Sequence, residues 1–88
     1  MRFRVFDWDT VNVEHIAGHG VEPFEAEVVC RSSTLILRGR EGRYVVYGHT
    51  TDGRYLIVVV RSLGGGHGRI ITARDMTDRE RRFYHRRH

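Results

Sequence analysis

The 88-residue chain has no lysine, one cysteine, one proline and one tryptophan. A single cysteine builds no internal disulfide framework, so a reducing compartment, the cytoplasm, is the expected setting. Long apolar runs are missing as well. Residues 1–20 hold no stretch of signal-peptide type, and no segment reaches the roughly 18 consecutive apolar residues of a membrane span. No Cys/His cluster has zinc-ligand spacing, and no metal or cofactor is expected. Gly64-Gly65-Gly66-His67-Gly68 is glycine-rich but lacks a lysine and a following helix, so it reads as a hairpin loop and not a phosphate cradle. No serine-centred nucleophile motif occurs. The length suits one domain, because domains usually run to about 100–150 residues. A domain this small buries only about 60% of its unfolded surface, so the core is thin and stability leans on a partner.

What the chain has is arginine. Fifteen arginines against 11 acids give a formal charge of +4. Residues 1–30 carry two arginines and six acids, whereas residues 31–88 carry thirteen and five. Such asymmetry points to a polyanion or an acidic partner. The blander reading is a solvated surface that uses arginine in place of lysine.

The pattern predicts an α+β domain over residues 1–88. Residues 2–8 alternate as a strand. Asp9 offers an N-cap to a short helix through Val13, Ile16 and Ala17, with Gly20 as its C′ stop. Pro23 opens a second helix that runs to about Cys30, with Cys30 in the core. Strands follow at 35–37, 43–48, 55–60 and 69–74, with turns at 39–42 and Asp52-Gly53. Thr77 and Glu80 have capping-box spacing and open a last helix. The order is strand, helix, helix, four strands, helix. Short turns imply an antiparallel sheet, with helices packed on one face. The last helix carries Arg79, Arg81, Arg82, Arg86 and Arg87 against Phe83 and Tyr84, so either it frays or an acidic surface orders it.

The chemistry must come from arginine and histidine. Strict alternation sends Arg69 and Arg74 to opposite faces, with a bulge or twist able to re-aim Arg74. A hairpin of the last two strands sets Arg61 beside Arg69, where a bridging anion suits the pair. Separate salt bridges to acids such as Asp75 and Glu80 are the simpler alternative. His19 suits a helix C-terminus, and His15 lies one turn earlier. His49 and His67 fall in predicted loops. Tyr84 is either a core anchor or a base-stacking group. A metal-free ribonuclease needs a base, an acid and cations around the phosphorane. Arg61, Arg69 and Arg74 can supply the cations, and His19, His67 or Tyr84 can move protons.

Several short motifs then fall in order. These are Phe6-Asp7-Trp8-Asp9, His15-Ile16, His19-Gly20-Val21, the segment Glu25 to Val29, Gly42-Arg43-Tyr44, Gly48 and Gly53-Arg54-Tyr55-Leu56. The stretch Arg69 to Thr77 follows, then Glu80-Arg81 and Tyr84. With these pieces the chain resembles the BrnT-type toxins of bacterial type II toxin–antitoxin systems. The resemblance implies a RelE-like fold and metal-independent RNA cleavage that slows translation. It also implies a cognate antitoxin with a ribbon-helix-helix domain, through which the complex contacts DNA only indirectly. Its motif arginines match Arg61, Arg69 and Arg74 and its His-Gly step matches His19-Gly20, so catalysis is expected at Arg61, Arg69, Arg74 and His19, with RNA binding expected at Arg54, Arg81 and Tyr84. Many members carry a basic residue where this chain has Gly18, and a lysine where it has Asn12. The alternative is a catalytically inactive RNA- or protein-binding module of the same fold.

Overall fold

The structure is a computed structural model that describes residues 2–87. Its elements are β1 (Val5–Asp7), α1 (Thr10–Ala17), α2 (Pro23–Ser32), β2 (Leu35–Arg38), β3 (Arg43–His49), β4 (Tyr55–Gly64), β5 (His67–Asp75) and α3 (Asp78–Arg87). The α+β order is the expected one. β1 is shorter than residues 2–8, and α2 runs two residues past Cys30.

Local chemistry accounts for the helix ends. The Asp9 carboxylate accepts from the N–H groups of Val11 and Asn12, and the Asn12 side chain accepts from Asp9 N–H at 2.9 Å. At the other end Val21 N–H donates to Ile16 and Gly20 N–H to Ala17, with Gly20 at φ 72°. That is a Schellman stop, and Gly20 alone takes its left-handed φ without a Cβ penalty. For α2, Pro23 occupies the first turn and the Glu25 carboxylate accepts from Glu22 N–H at 3.0 Å.

The five strands order as β1-β5-β4-β3-β2. β2 through β5 form antiparallel hairpins, but β1 pairs parallel to β5, so the sheet is mixed and not purely antiparallel. β1 meets β5 only over His67 to Arg69. Beyond that point α1 takes over the edge, and Asn12 Nδ2 donates to the carbonyls of Asp7 (2.8 Å) and Ile70 (3.1 Å). Asn12 is 2% exposed. Its buried amide thus satisfies two backbone carbonyls that β1 and β5 would otherwise leave unpaired at this edge.

The helices do not share one face. Val46, Leu56, Val58 and Val60 pack with Ile16, Ala26 and Val29 in the main core under α1 and α2. Ile57, on the other face of β4, packs with Met76 and Tyr84 under α3. Side chains alternate along a strand, so the central β4 is covered on both faces. α3 therefore has an internal surface to dock on, through Tyr84. Thr77 and Glu80 close its capping box, with Thr77 N–H to Glu80 Oε1 at 2.8 Å and Glu80 N–H to Thr77 Oγ1 at 3.2 Å. The Phe83 ring packs 5.3 Å from that of Tyr47, and the Arg87 guanidinium lies over Phe83. Cys30 is buried in the main core, which pushes its thiol up to about 12.

Candidate active site

Register along β5 decides which side chains meet. Residues from Leu56↔Asp75 to Val59↔Thr72 pair regularly, but the next pairs are Val60↔Ile70 and Arg61↔Arg69. Ile71 is therefore one residue too many on β5, a bulge that resets the alternation. Arg74 stands opposite Ile57 and Arg69 opposite Arg61, and Ile57 and Arg61 lie on one face of β4. Arg69 and Arg74 thus share a face, which corrects the expectation from strict alternation. Arg43 stands opposite Arg61 in turn. Three arginines form a row across β3, β4 and β5, and Asp7 on β1 ends it beside Arg69. This is the face that α3 covers at its other end.

The charges are unevenly matched. Arg69 bonds Asp7 at 3.2 Å and Asp9 at 3.0 Å. That contact, helped by the Asn12 N–H, lowers the Asp9 carboxyl below its usual range. Arg74 forks onto both oxygens of Glu80 at 2.7 and 2.9 Å, and chiefly for that reason Glu80 falls to about 2. The alternative of separate salt bridges thus holds for Arg69, though its acids are Asp7 and Asp9 and not Asp75 or Glu80. Among the described residues, Arg43 and Arg61 make no ion pair, and both are exposed.

Histidines border this face. His67 opens β5 rather than lying in a loop, two residues before Arg69 and so on the same face. Its preceding turn is only Gly65-Gly66, both at positive φ. His15 Nε2 lies 3.0 Å from Thr72 Oγ1, and Thr72 stands opposite Val59 between the Arg74 and Arg69 positions. His15 also lines a shallow groove of about 580 Å³ between α1 and β5, together with Val11, Asn12, Glu14, Arg69 and Ile71. His19 sits just past α1, exposed, outside that groove, with its ring edge-on to His15 at 5.4 Å. His49 Nδ1 lies 3.1 Å from the Tyr84 hydroxyl.

The residues expected to bind RNA fall into two kinds. Arg81 on α3 is exposed, and its guanidinium lies over the Tyr55 ring of β4, 4.6 Å from the centroid. Arg54 and Tyr84 meet a different geometry. Arg54 holds Asp75 through Nε (2.9 Å) and Nη2 (3.2 Å), and its Nη1 donates to Gly20 O (2.8 Å) and Glu25 (3.1 Å). It clamps the start of β4 to the end of β5 and to the α1–α2 connection. Tyr84 is 2% exposed and anchors α3, so the core-anchor reading holds and no ring face is open to a base.

Sequence reasoning missed Arg43, Thr72 and the position of His15. Arg43 needs the register of three strands at once. The His15 signal was present as its one-turn spacing from His19, but which of the two faced the arginines depended on α1 lying along the β5 edge.

Among the described residues no three His, Cys, Asp or Glu side chains gather as a metal-ligating group, and no helix is long and apolar enough to cross a membrane. No curated protein and no solved structure matches the chain significantly. Residues 8–80 match the family described as "ribonuclease toxin, BrnT, of type II toxin-antitoxin system", a span that contains the arginine row, the bulge and the α1 histidines. The chain therefore belongs to the BrnT family of ribonuclease toxins of type II toxin–antitoxin systems.

Proposed function

We propose that this toxin cleaves RNA in the cytoplasm without a metal ion, at the arginine face of the sheet, and so slows translation. The observation that carries the reading is the bulge at Ile71, which lines up Arg43, Arg61, Arg69 and Arg74 on one face. Phosphoryl transfer needs positive charge fixed where the phosphorane develops, and planar guanidinium groups fit that geometry. Arg61 and Arg43 are unpaired among the described residues, so they meet the incoming phosphate first. Arg69 and Arg74 are held by carboxylates, in the geometry of preorganised electrostatic groups. A histidine of the His15–His19 pair moves the proton. Arg81 extends phosphate contacts along α3, while Arg54 and Tyr84 serve the site by holding its frame. The family implies a cognate antitoxin, and the reading gives it a ribbon-helix-helix domain that carries the complex to DNA.

One observation favours the second reading, an inactive binding module. Arg69 and Arg74 already have carboxylate partners, which offset much of their charge. The two readings separate in one experiment. Purified chain is incubated with RNA in excess chelator, and growth is followed on induction in cells. Cleavage under chelator with growth arrest, both relieved by Arg61→Ala, supports the nuclease. Salt-dependent binding with intact RNA supports the module.

A further inference from the structure

We propose that the groove between α1 and β5 seats the ribose-phosphate at which RNA is cut, and that His15, oriented by Thr72, is the catalytic residue that takes the 2′-hydroxyl proton. The inference rests on the ribonuclease reading and assigns within it what that reading leaves between two histidines.

Four observations converge on the groove. Its volume of about 580 Å³ lies within the range of about 300–1,000 Å³ that small-ligand sites occupy. One wall is apolar, with Ile71 from the bulge and Val11, which is 70% exposed, so a sugar or base finds contact area there. Arg69 brings a cation of the arginine row into the same groove. His15 is the histidine that lines it, and His19 is not.

The Thr72 contact gives the ring an orientation. The hydroxyl lies 3.0 Å from Nε2. When it accepts from Nε2–H, Nδ1 keeps the lone pair that takes a proton. The charged groups around this imidazole are Glu14 and His19 beside it and Arg69 across the groove, with Arg69 itself tied to Asp7 and Asp9. In the step, the 2′-hydroxyl proton passes to His15 and the 2′-oxygen bonds to phosphorus. The bond from phosphorus to the 5′-oxygen breaks, and that oxygen takes a proton from water. The products are a 2′,3′-cyclic phosphate and a 5′-hydroxyl, and His15 returns its proton to solvent.

The test uses the purified chain, a labelled single-stranded RNA of mixed sequence and its uncleavable 2′-deoxy counterpart. His15→Ala and His15→Gln are each expected to lower kcat about 100-fold or more. Both are expected to leave binding of the 2′-deoxy strand within about threefold. The glutamine variant keeps an amide donor for Thr72 but cannot titrate, so its failure separates chemistry from packing. Loss of the acid-side limb of the pH–rate profile in both variants is the further mark of a general base. Thr72→Val lowers kcat about tenfold and displaces the limb without raising KM. If His15→Ala cuts as fast as the wild type, or keeps its acid limb, the assignment is wrong while the ribonuclease reading stands. If the wild type cuts no RNA, both fail together.

Discussion

Arg61 and Arg69 stand directly opposite each other on β4 and β5, yet only Arg69 has carboxylate partners among the described residues. Like charges facing across a ladder are destabilising by about 0.2–1 kcal/mol. Asp7 and Asp9 offset this on one side, and Arg43 adds to it on the other. The fold thus tolerates a local excess of positive charge.

Arg61→Ala is therefore expected to leave stability unchanged within about 0.5 kcal/mol, or to raise it slightly, because it removes repulsion and breaks no ion pair. RNA affinity should fall, and the slope of log affinity against log salt should shrink by about 0.7 for the lost single-strand phosphate contact. Chemical denaturation and a salt titration check the two halves. A markedly destabilised Arg61→Ala would show that this residue has a structural partner.

Glu80 makes α3 docking sensitive to acid. Its carboxyl falls from an ordinary 4.5 to about 2, first because Arg74 bonds it and then because of the Thr77 N–H. A folded-state value below the unfolded one means stability that is fully present above about pH 4.5 and lost as pH falls toward 2. Arg74 is 42% exposed, so solvent screening reduces the effect to about 1 kcal/mol. Glu80→Gln should remove most of this acid dependence between pH 5 and pH 2, as read by denaturation at each pH. An unchanged dependence would place the acid-sensitive groups elsewhere.

The parts of the fold that were legible in the sequence are those set by neighbouring residues. The Asp9 cap, the Gly20 stop and the Thr77–Glu80 box each involve side chains and backbone within one helical turn. The hairpin that faces Arg61 to Arg69 follows from two adjacent strands and a short turn. What stayed hidden depends on distant pairings. Nothing in Val5 to Asp7 shows that it adds parallel to a strand sixty residues on. Ile70-Ile71-Thr72 has no glycine to mark the bulge, yet that single extra residue brings Arg69 and Arg74 to one face. The arginines of α3 outnumber Phe83 and Tyr84, so neither its docking nor the side of the sheet it covers was legible there. The candidate site was therefore legible as a list of arginines and illegible as an arrangement.

The β1–β5 contact can be tested at Gly68. This glycine is buried, pairs with Phe6 and Ser62, and has an ordinary φ, so its requirement is space and not conformation. A Cβ there would sit 2.5 Å from Val60 Cγ1 and 2.8 Å from Phe3 Cδ1. Phe3 and Val60 are both fully buried and have nowhere to move. Gly68→Ala should cost about 1–3 kcal/mol by overpacking, which lowers Tm by about 4–8 °C per kcal/mol in a chain this size. Gly65→Ala, with nothing within 4 Å but φ 62°, tests the opposite case of strain without a clash and should cost less. Equal losses would show that the packing around Phe3 relaxes freely.

Arg54 tests whether the frame or the face limits function. Its guanidinium holds Asp75 with two nitrogens and reaches Gly20 and Glu25 with the third group. The Asp75 carboxyl is lowered chiefly by that hydrogen bond. Lysine keeps the charge but presents one ammonium, which cannot serve a forked carboxylate and a distant carbonyl together. Arg54→Lys should therefore lose about 2 kcal/mol of stability, close to the loss in Arg54→Ala. Gly20 ends the segment that follows the α1 histidines, and Asp75 adjoins Arg74, so the clamp spans both sides of the candidate site. If Arg54 acts by positioning, Arg54→Lys lowers kcat for RNA cleavage at temperatures where the chain remains folded, while KM and the salt slope stay as in the wild type. If Arg54 instead contacts RNA, Arg54→Lys keeps much of the phosphate attraction and Arg54→Ala loses it, so KM and the salt slope change in the alanine variant and the stability loss is secondary. Cleavage kinetics of both variants at two salt concentrations, beside their melting curves, decide between these outcomes.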